Sequence, residues 1–521
     1  MKSFYLFFCL LSFPISLSAQ SQPIQLWQAV EYVQSINIKG PTIVLDKFQN
    51  TYMLTNQTDA NFFGGFTLVK YDTLGNVLWN RNYPPGIIGH FYGSFTVDSL
   101  GYSYVGLRFD GGLPQYDADA IMLKYDPDGV KVWEANYSLG QAGDSYIYYS
   151  EMDTLHGRLI TLGVNWHDTI PADNFLFVQA IDTSDGSVIW RTRIPGVFIP
   201  QNMRVQAEHI QLLSTKYKAD GKYFVNSIIN FNGEMMQQYE NLYTGYEVDF
   251  NYISKTGDVV FGNRGFGYSV TRVDILGDTL WRYEYPNFEQ QNNRVRALIE
   301  DDSLNVYAVG SVEIQGLSAE MMTSKIDIDG ELVWQDVFHS SEGAFVDGAG
   351  SVKLANGELI VCGNTQLQNT DIVGNIKIYN SFNGAEGFFI NIANNNIFWI
   401  NDIISCNRSL YYVGEGFQTN LDSMIVSTGC FRYPIITSLN ETHYDSMICA
   451  PNPSATQVKI SNIDIGIFKK ASLIDIKGIV LFSEKLTTDN ISVPLSDLPP
   501  GLYIISLNGD NVQATKKVMK I

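Results

Sequence analysis

Apolar residues fall in short runs along this chain, each broken after a few positions by Asp, Asn, Ser or Gly. No long stretch keeps the 3.6-residue spacing of an amphipathic helix. The β-branched and aromatic runs read as strands. One line of text recurs: a hydrophobic strand, Asp, two residues, Gly, three residues, Trp. It first reads Lys70-Tyr-Asp72-Thr-Leu-Gly75-Asn-Val-Leu-Trp79. It returns with Asp126, Gly129 and Trp133, with Asp274, Gly277 and Trp281, and with Asp327, Gly330 and Trp334. The copy at Asp182, Gly186 and Trp190 carries one extra residue. A second landmark lies upstream, a strand ending in Gly, as in Tyr104-Val-Gly106, Val309-Gly310 and Val413-Gly414. Each unit thus predicts strand a, a turn, strand b, a loop, strand c, an Asp/Gly turn and strand d.

Four antiparallel strands recurring at roughly 44 to 57 residues is the period of a propeller blade. Blades are expected at about 43–83, 95–137, 149–194, 205–242, 248–285, 295–338 and 347–390. The fourth and seventh are degenerate: Asn230, Gly233 and Gln237, then Gly384 and Phe388, stand at the landmark positions. An eighth unit begins near Trp399 and stops after Met424-Ile-Val426 without a fourth strand. Ile24-Gln-Leu-Trp27 resembles a strand-d text with nothing before it to form a blade. The expectation is an all-β, eight-bladed β-propeller closed by the N-terminal strand, which leaves no sheet edge open. A seven-bladed ring, with 391–431 used otherwise, is the alternative.

The landmarks have physical reasons. Lys70, Lys124, Arg272 and Lys325 stand two before the Asp, on one face of strand c. The Asp caps its turn by accepting backbone N–H bonds, and Gly supplies the positive φ. The Trp is placed to pack on the neighbouring blade. These residues read as builders of the fold.

Composition changes the picture only in part. Charged residues are 17% of 521 and the formal net charge is −20. An acidic surface repels phosphate backbones and anionic lipid, so nucleic acid is excluded as a partner class. Residues 1–19 read as a signal peptide: Lys2, the apolar run Phe4–Leu11, then Ser16, Ser18 and Ala19. No other run predicts a transmembrane segment. Of the remaining cysteines, Cys362 lies in a strand text and reads as a free thiol, whereas Cys406 and Cys430 leave a disulfide open.

After residue 431 the text changes. Residues 432–447 read as a linker. Short alternating strands then fill 448–521 and predict a small C-terminal β-sandwich. Its text carries Pro451-Asn452-Pro453, Lys477-Gly478 at a hairpin, Pro500-Gly501-Leu-Tyr503 and a basic close at Lys516-Lys517. This tail resembles the type A C-terminal sorting domain of type IX secretion cargo. Ala450 departs from the residue often seen before Pro-Asn-Pro. The resemblance implies a Gram-negative bacterium, export in two steps, the type IX secretion machinery as partner, and a secreted or cell-surface product. The blades in turn resemble the bacterial β-propeller repeat of exported proteins. Ile181-Asp182 to Trp190 is also similar to the repeats of quinone-dependent enzymes, but their adjacent cysteine pair is absent, so no quinone chemistry follows.

Catalytic constellations do not emerge. The six histidines share no ligand spacing, and neither H-E-x-x-H nor G-x-S-x-G occurs. No catalytic residue and no cofactor is assigned. Calcium is the one cation considered, because Asp126-Pro-Asp128-Gly129 and Asp327-Ile-Asp329-Gly330 begin like an EF-hand loop. Tyr137 and Phe338 stand where its bidentate Glu belongs. The longer loops 110–119 and 165–174 are the candidates for ligand contact, through Asp117, Asp119, Trp166, His167 and Asp173. The expected role is binding of a surface glycan or protein. A funnel-sited hydrolase or lyase, and a structural surface role, are the alternatives.

Overall fold

The computed structural model describes residues 23–33, 41–58, 63–88, 94–109, 119–137, 139, 143–167, 170, 174–218, 220–242, 248–263, 267–285, 293–313, 319–338, 343–347, 351–367, 372–392, 397–406, 409–418, 423–433, 448–450, 454–461, 463, 465, 468–475, 480–509 and 513–520. The signal-peptide reading lies outside these residues. Among them every regular element is a strand.

Six consecutive four-stranded antiparallel sheets, all with strand order a-b-c-d, form blades 1 to 6. Blades 7 and 8 are joined into one sheet by a single parallel bridge, Ile372 to Ile397. Blade 8 consists of Ile397–Cys406, Ser409–Gln418, Ser423–Arg432 and the N-terminal strand Ile24–Val33. The last runs antiparallel to Ser423–Arg432, with Trp27 opposite Cys430 and Val33 opposite Met424. The ring therefore has eight blades and is closed by the N-terminal strand; the seven-bladed alternative falls.

The a-strands are innermost. They are Thr42–Leu45, Ser94–Val97, Asp144–Asp153, Phe198–Val205, Val248–Ile253, Arg294–Glu300, Val352–Ala355 and Ile397–Cys406. Each touches the a-strand on either side, and that of blade 8 touches that of blade 1. In blades 3 and 4 they begin at 144 and 198, earlier than the sequence suggested (149 and 205). The text Phe198-Ile-Pro-Gln-Asn202 carries a weak strand signal because Pro200 interrupts it and two amides follow.

The core lies between blades. Tyr52, Leu54, Phe66, Leu68 and Trp79 of blade 1 pack on Val105, Leu107, Ile121 and Leu123 of blade 2. Trp27 joins Met53, Val69 and Tyr71 of blade 1 to Val413 and Val426 of blade 8.

The recurring landmark is an inter-blade latch. Asp72 Oδ1 accepts the N–H groups of Leu74 and Asn76, both at 2.8 Å, and Gly75 takes φ +84°. A bulge after each of these turns sets the strand-c cation directly opposite the Trp: Lys70 with Trp79, Lys124 with Trp133, Lys325 with Trp334. Both side chains then reach one carbonyl of the next blade. Lys124 Nζ and Trp133 Nε1 donate to Thr183 O at 2.7 and 3.1 Å, and Lys70 and Trp79 share Pro127 O at 3.0 and 2.9 Å. The indole also covers the next blade's turn glycine. A Cβ on Gly129 would lie 2.6 Å from Trp79, one on Gly384 2.6 Å from Trp334, and one on Gly75 2.5 Å from Trp27. The last contact closes the ring by the same device. Junction 4–5 lacks the Trp, and there Asn241 donates to Leu276 O at 3.0 Å.

Cys406 and Cys430 are free thiols, as is Cys362. The first two lie on strands separated by the whole of Ser409–Gln418, too far for a disulfide.

The C-terminal part is a β-sandwich. One sheet holds Ile448–Ala450, Gln457–Ser461 and Ile491–Pro494. The other holds Val480–Lys485, Phe468–Ile474, Gly501–Gly509 and Gln513–Lys520. Val458, Ile460 and Val493 of the first meet Leu473, Ile505 and Val518 of the second in a single core.

Candidate functional site

Strand direction sorts the connections onto two ends of the ring. The a–b and c–d turns occupy one end and are short, hydrogen-bonded and capped, as at Asp98–Tyr102 and Asp301–Asn305. The b–c and d–a connections occupy the other. The two loops singled out from sequence are b–c loops of adjacent blades 2 and 3, so they share that end.

Asp117 and Asp173 lie outside the described residues. Asp119 opens strand c of blade 2 (Asp119–Tyr125), and its Oδ2 accepts from Asn136 Nδ2 at 2.8 Å, a cross-strand bond on the blade wall. Trp166 ends strand b of blade 3 (Arg158–Trp166), opposite Asp144. The His167 backbone N–H donates to Asn174 Oδ1, and its Nδ1 accepts the Ile170 N–H at 3.1 Å. His167 thus folds its own loop, which takes one ring nitrogen out of chemistry. Trp166 and His167 are half-buried.

Sequence reading missed a feature of the channel wall. The a-strands of blades 3 to 6 and 8 each carry a β-bulge, and in blade 7 the short strand Gly343–Asp347 ahead of its a-strand carries one. The bulges fall at Tyr148, Gln201, Asp249, Arg296, Val346 and Asn401. Bulges re-aim a side chain and are over-represented beside functional sites. The signal was present as the strand-b glycine. Ile147 pairs with Gly163, Val295 with Gly310 and Ile400 with Gly414. A Cβ at those glycines would overlap the carbonyl oxygens of Tyr146, Arg294 and Trp399. At these three positions the second landmark marks where the bulge drives the inner strand's backbone against strand b, whereas at Gly106, in unbulged blade 2, Ser94 Oγ takes that space.

In blades 3 to 5 a polar network crosses the a-strands. Tyr149 O–H donates to Gln201 O at 2.5 Å, Asn202 Nδ2 to Asn251 O at 3.1 Å, and Asn251 Nδ2 to Gln201 Oε1 at 3.3 Å. Arg204 donates to Tyr252 Oη at 2.8 Å, and the Val205 N–H to Glu151 Oε2 at 2.9 Å. Burial pushes the Glu151 carboxyl above its ordinary range. In blades 1 and 2 the a-strand side chains Ile43, Phe95 and Val97 pack into the inter-blade cores. In blade 8, burial raises the Glu415 carboxyl to about 7; its Oε1 accepts from Asn401 Nδ2 at 3.3 Å, and Oε2 is buried without a partner.

The calcium-like turns use their carboxylates internally. Asp126 Oδ1 accepts from Asp128 and Val130, and Asp327 Oδ1 from Asp329 and Glu331. Among the described residues no group of three His, Cys, Asp or Glu gathers as a ligand set.

Of the sorting motif, Pro451, Asn452, Pro453 and Gly478 lie outside the described residues. Gly501 opens its strand, and buried Tyr503 donates to Pro499 O at 2.8 Å, which pins the turn before it. Lys516 and Lys517 stand opposite Ile505 and Ile504. Residues 449–521 match the secretion system C-terminal sorting domain. This chain carries an export tail. The tail marks a protein exported by type IX secretion, to the cell surface or beyond it, in a Gram-negative bacterium.

No curated protein sequence matches the chain. Solved structures similar to the ring include the Dos1 propeller, at 9% identity and TM-score 0.46, over 79% of this chain and 95% of that one. The WD40 domain of SCAP from fission yeast is similar at 8% identity and TM-score 0.43, over 77% and 98%. The periplasmic gluconolactonase of Pseudomonas aeruginosa is similar at 11% identity and TM-score 0.40, over 68% and 96%. No helix among the described residues is long and apolar enough to cross a membrane.

Proposed function

We propose that the exported ring binds a ligand at the end carrying its b–c and d–a loops, without turning it over. The observation that carries this reading is the division of labour between the two ends. Every capped turn and inter-blade latch gathers at one end, which frees the loops and the bulged inner strands at the other for contact. Trp166, on the rim, offers an aromatic face, and Asp117, Asp119 and Asp173 belong to the same loops. A glycan or a protein at the bacterial surface fits such a rim. The sandwich serves as the address read by the type IX machinery, with Gly501, Tyr503, Lys516 and Lys517 in its strands.

The test uses the secreted protein against a panel of polysaccharides and surface proteins, with binding and product release read on the same samples. Binding with unchanged ligand supports the reading. Consumption of any panel member overturns it in favour of an enzyme, for which Glu415 is the first carboxyl to substitute.

A further inference from the structure

We propose that the turn end of the ring docks the chain's own C-terminal sandwich, through an acidic arc on blades 4 to 6 and the sheet face that carries Lys470 and Lys485.

The two parts differ in charge. Residues 24–433 hold 46 acidic and 25 basic side chains, whereas residues 448–521 hold six acids against eight lysines. On the ring, Glu208, Glu234, Asp278, Asp302, Asp329 and Glu331 are all exposed on the turns of blades 4 to 6. Lys255, 3.7 Å from Asp302, is the one exposed cation among the described residues of those turns. Turn geometry does not demand the six carboxylates, because capping falls to Asn230, Asp274, Asp301 and Asp327. Leu276 and Ile328 stand exposed among them.

The chain leaves the ring at this same end. Arg432, the last residue of its strand, lies opposite Ser409, just past the a–b turn of blade 8. Residues 434–447 then lead to the sandwich, and the arc begins two blades away at blade 6. Fourteen residues span at most about 50 Å. A short tether holds its cargo at an effective concentration of order millimolar, so a contact too weak to join free molecules suffices.

The sandwich offers the complementary face. Lys470 and Lys485 are exposed and stand directly opposite each other on neighbouring strands, where like charges repel. Ala471 and Leu473 enter the core, so the alternate residues Lys470, Ser472 and Ile474 face outward. Ser472 and Ser483, bonded at 2.9 Å, continue that face as a flat row, with exposed Val480 beyond it. Ammonium groups beside apolar surface thus match carboxylates beside Leu276 and Ile328, and docking relieves the repulsion on both sides. A sandwich so placed leaves the b–c and d–a loops uncovered, so the inference stands apart from the ligand reading.

The experiment treats the full chain, tail attached, with a zero-length carbodiimide and maps the joined peptides of the monomer fraction. Small-angle scattering reads the span of the untreated chain. Bonds from Lys470 or Lys485 to the six carboxylates are expected in about 0.1 M salt. They are expected to vanish, and the radius of gyration to grow, at about 1 M, where the screening length falls from about 10 to 3 Å. Lys470→Glu with Lys485→Glu is expected to give the same loss in low salt, as is Asp329→Lys with Glu331→Lys; combining the two pairs is expected to restore the compact span. If one pair does not fold, the other decides. Joined peptides confined to dimers and rising with protein concentration overturn the chain's own tail as occupant in favour of a second copy's. Bonds to carboxylates of the loop end overturn the face. A radius of gyration indifferent to salt and to these substitutions, with no such bond, overturns docking altogether.

Discussion

The turn end and the loop end of this ring are made from the same strands and obey different rules. At the turn end one device recurs: Asp or Asn caps, Gly turns, and at junctions 1–2, 2–3 and 6–7 a Lys and a Trp share a carbonyl of the next blade. At the loop end the b–c connections run from two residues, between Lys218 and Gly221, to nine, between Phe109 and Asp119. Selection for mutual fit writes the same residues again and again, because each junction solves the same packing problem. Selection for an outside partner leaves each blade different. In a repeat protein the informative positions for function are those where the repeat breaks.

This contrast can be broken experimentally, beginning with the closure. Deleting residues 23–33 removes the fourth strand of blade 8 and uncovers Gly75; we expect loss of cooperative unfolding, by calorimetry and near-ultraviolet dichroism. A ring that melts as sharply without this strand would show that closure is dispensable. Next, Gly310→Ala drives a methyl into the Arg294 carbonyl and is expected to cost about 3 kcal/mol or more in denaturant titration. Gly157→Ala, at φ +66° in open space, is expected to cost about 1 kcal/mol. Equal losses at the two sites would mean that bulge crowding is unimportant.

Glu415 sharpens the comparison through pH. Its folded carboxyl titrates near 7 and its reference value is 4.5, so the folded state holds a proton that the unfolded chain releases first. The associated stability is complete below about 4.5, declines as pH rises, and is gone above about 7. Its full extent is of order 3 kcal/mol. Glu415→Gln should flatten the slope of unfolding free energy between those values; an unchanged slope would assign it to other groups. Smaller again is Lys124→Met, which keeps the methylene stem and loses the 2.7 Å bond to Thr183 O. A cost of about 1 to 2 kcal/mol is expected, and no measurable change would leave Trp133 as the sole latch at that junction.

The legible part of the chain was the part that repeats. Asp, Gly and Trp at fixed spacing announced the blades, and the lone Trp27 announced the closure, because turn geometry and indole packing tolerate few alternatives. The strand-c lysines were visible, but their partner carbonyls were not, since a backbone oxygen in the next blade leaves no mark in the text. The bulges were missed for a related reason. Gly310 and Gly414 read as strand endings, whereas they, like Gly163, record the approach of a neighbouring backbone. Of the loop residues chosen from sequence, Asp119 and His167 have local hydrogen bonds that sequence could not reveal. Gln201 fell outside the predicted blade 4, because Pro200 interrupts the text of its strand.

The pairing of Gln28 with Ser427 joins residues 399 apart in the chain. The strand Ile24–Val33 must wait for Ser423–Arg432, so nearly the whole ring has to be present before it can seal. A prematurely terminated cargo lacks both its seam and its export address. The seam at 423–432 precedes the address at 449–521, so a chain that carries the address carries its seam as well.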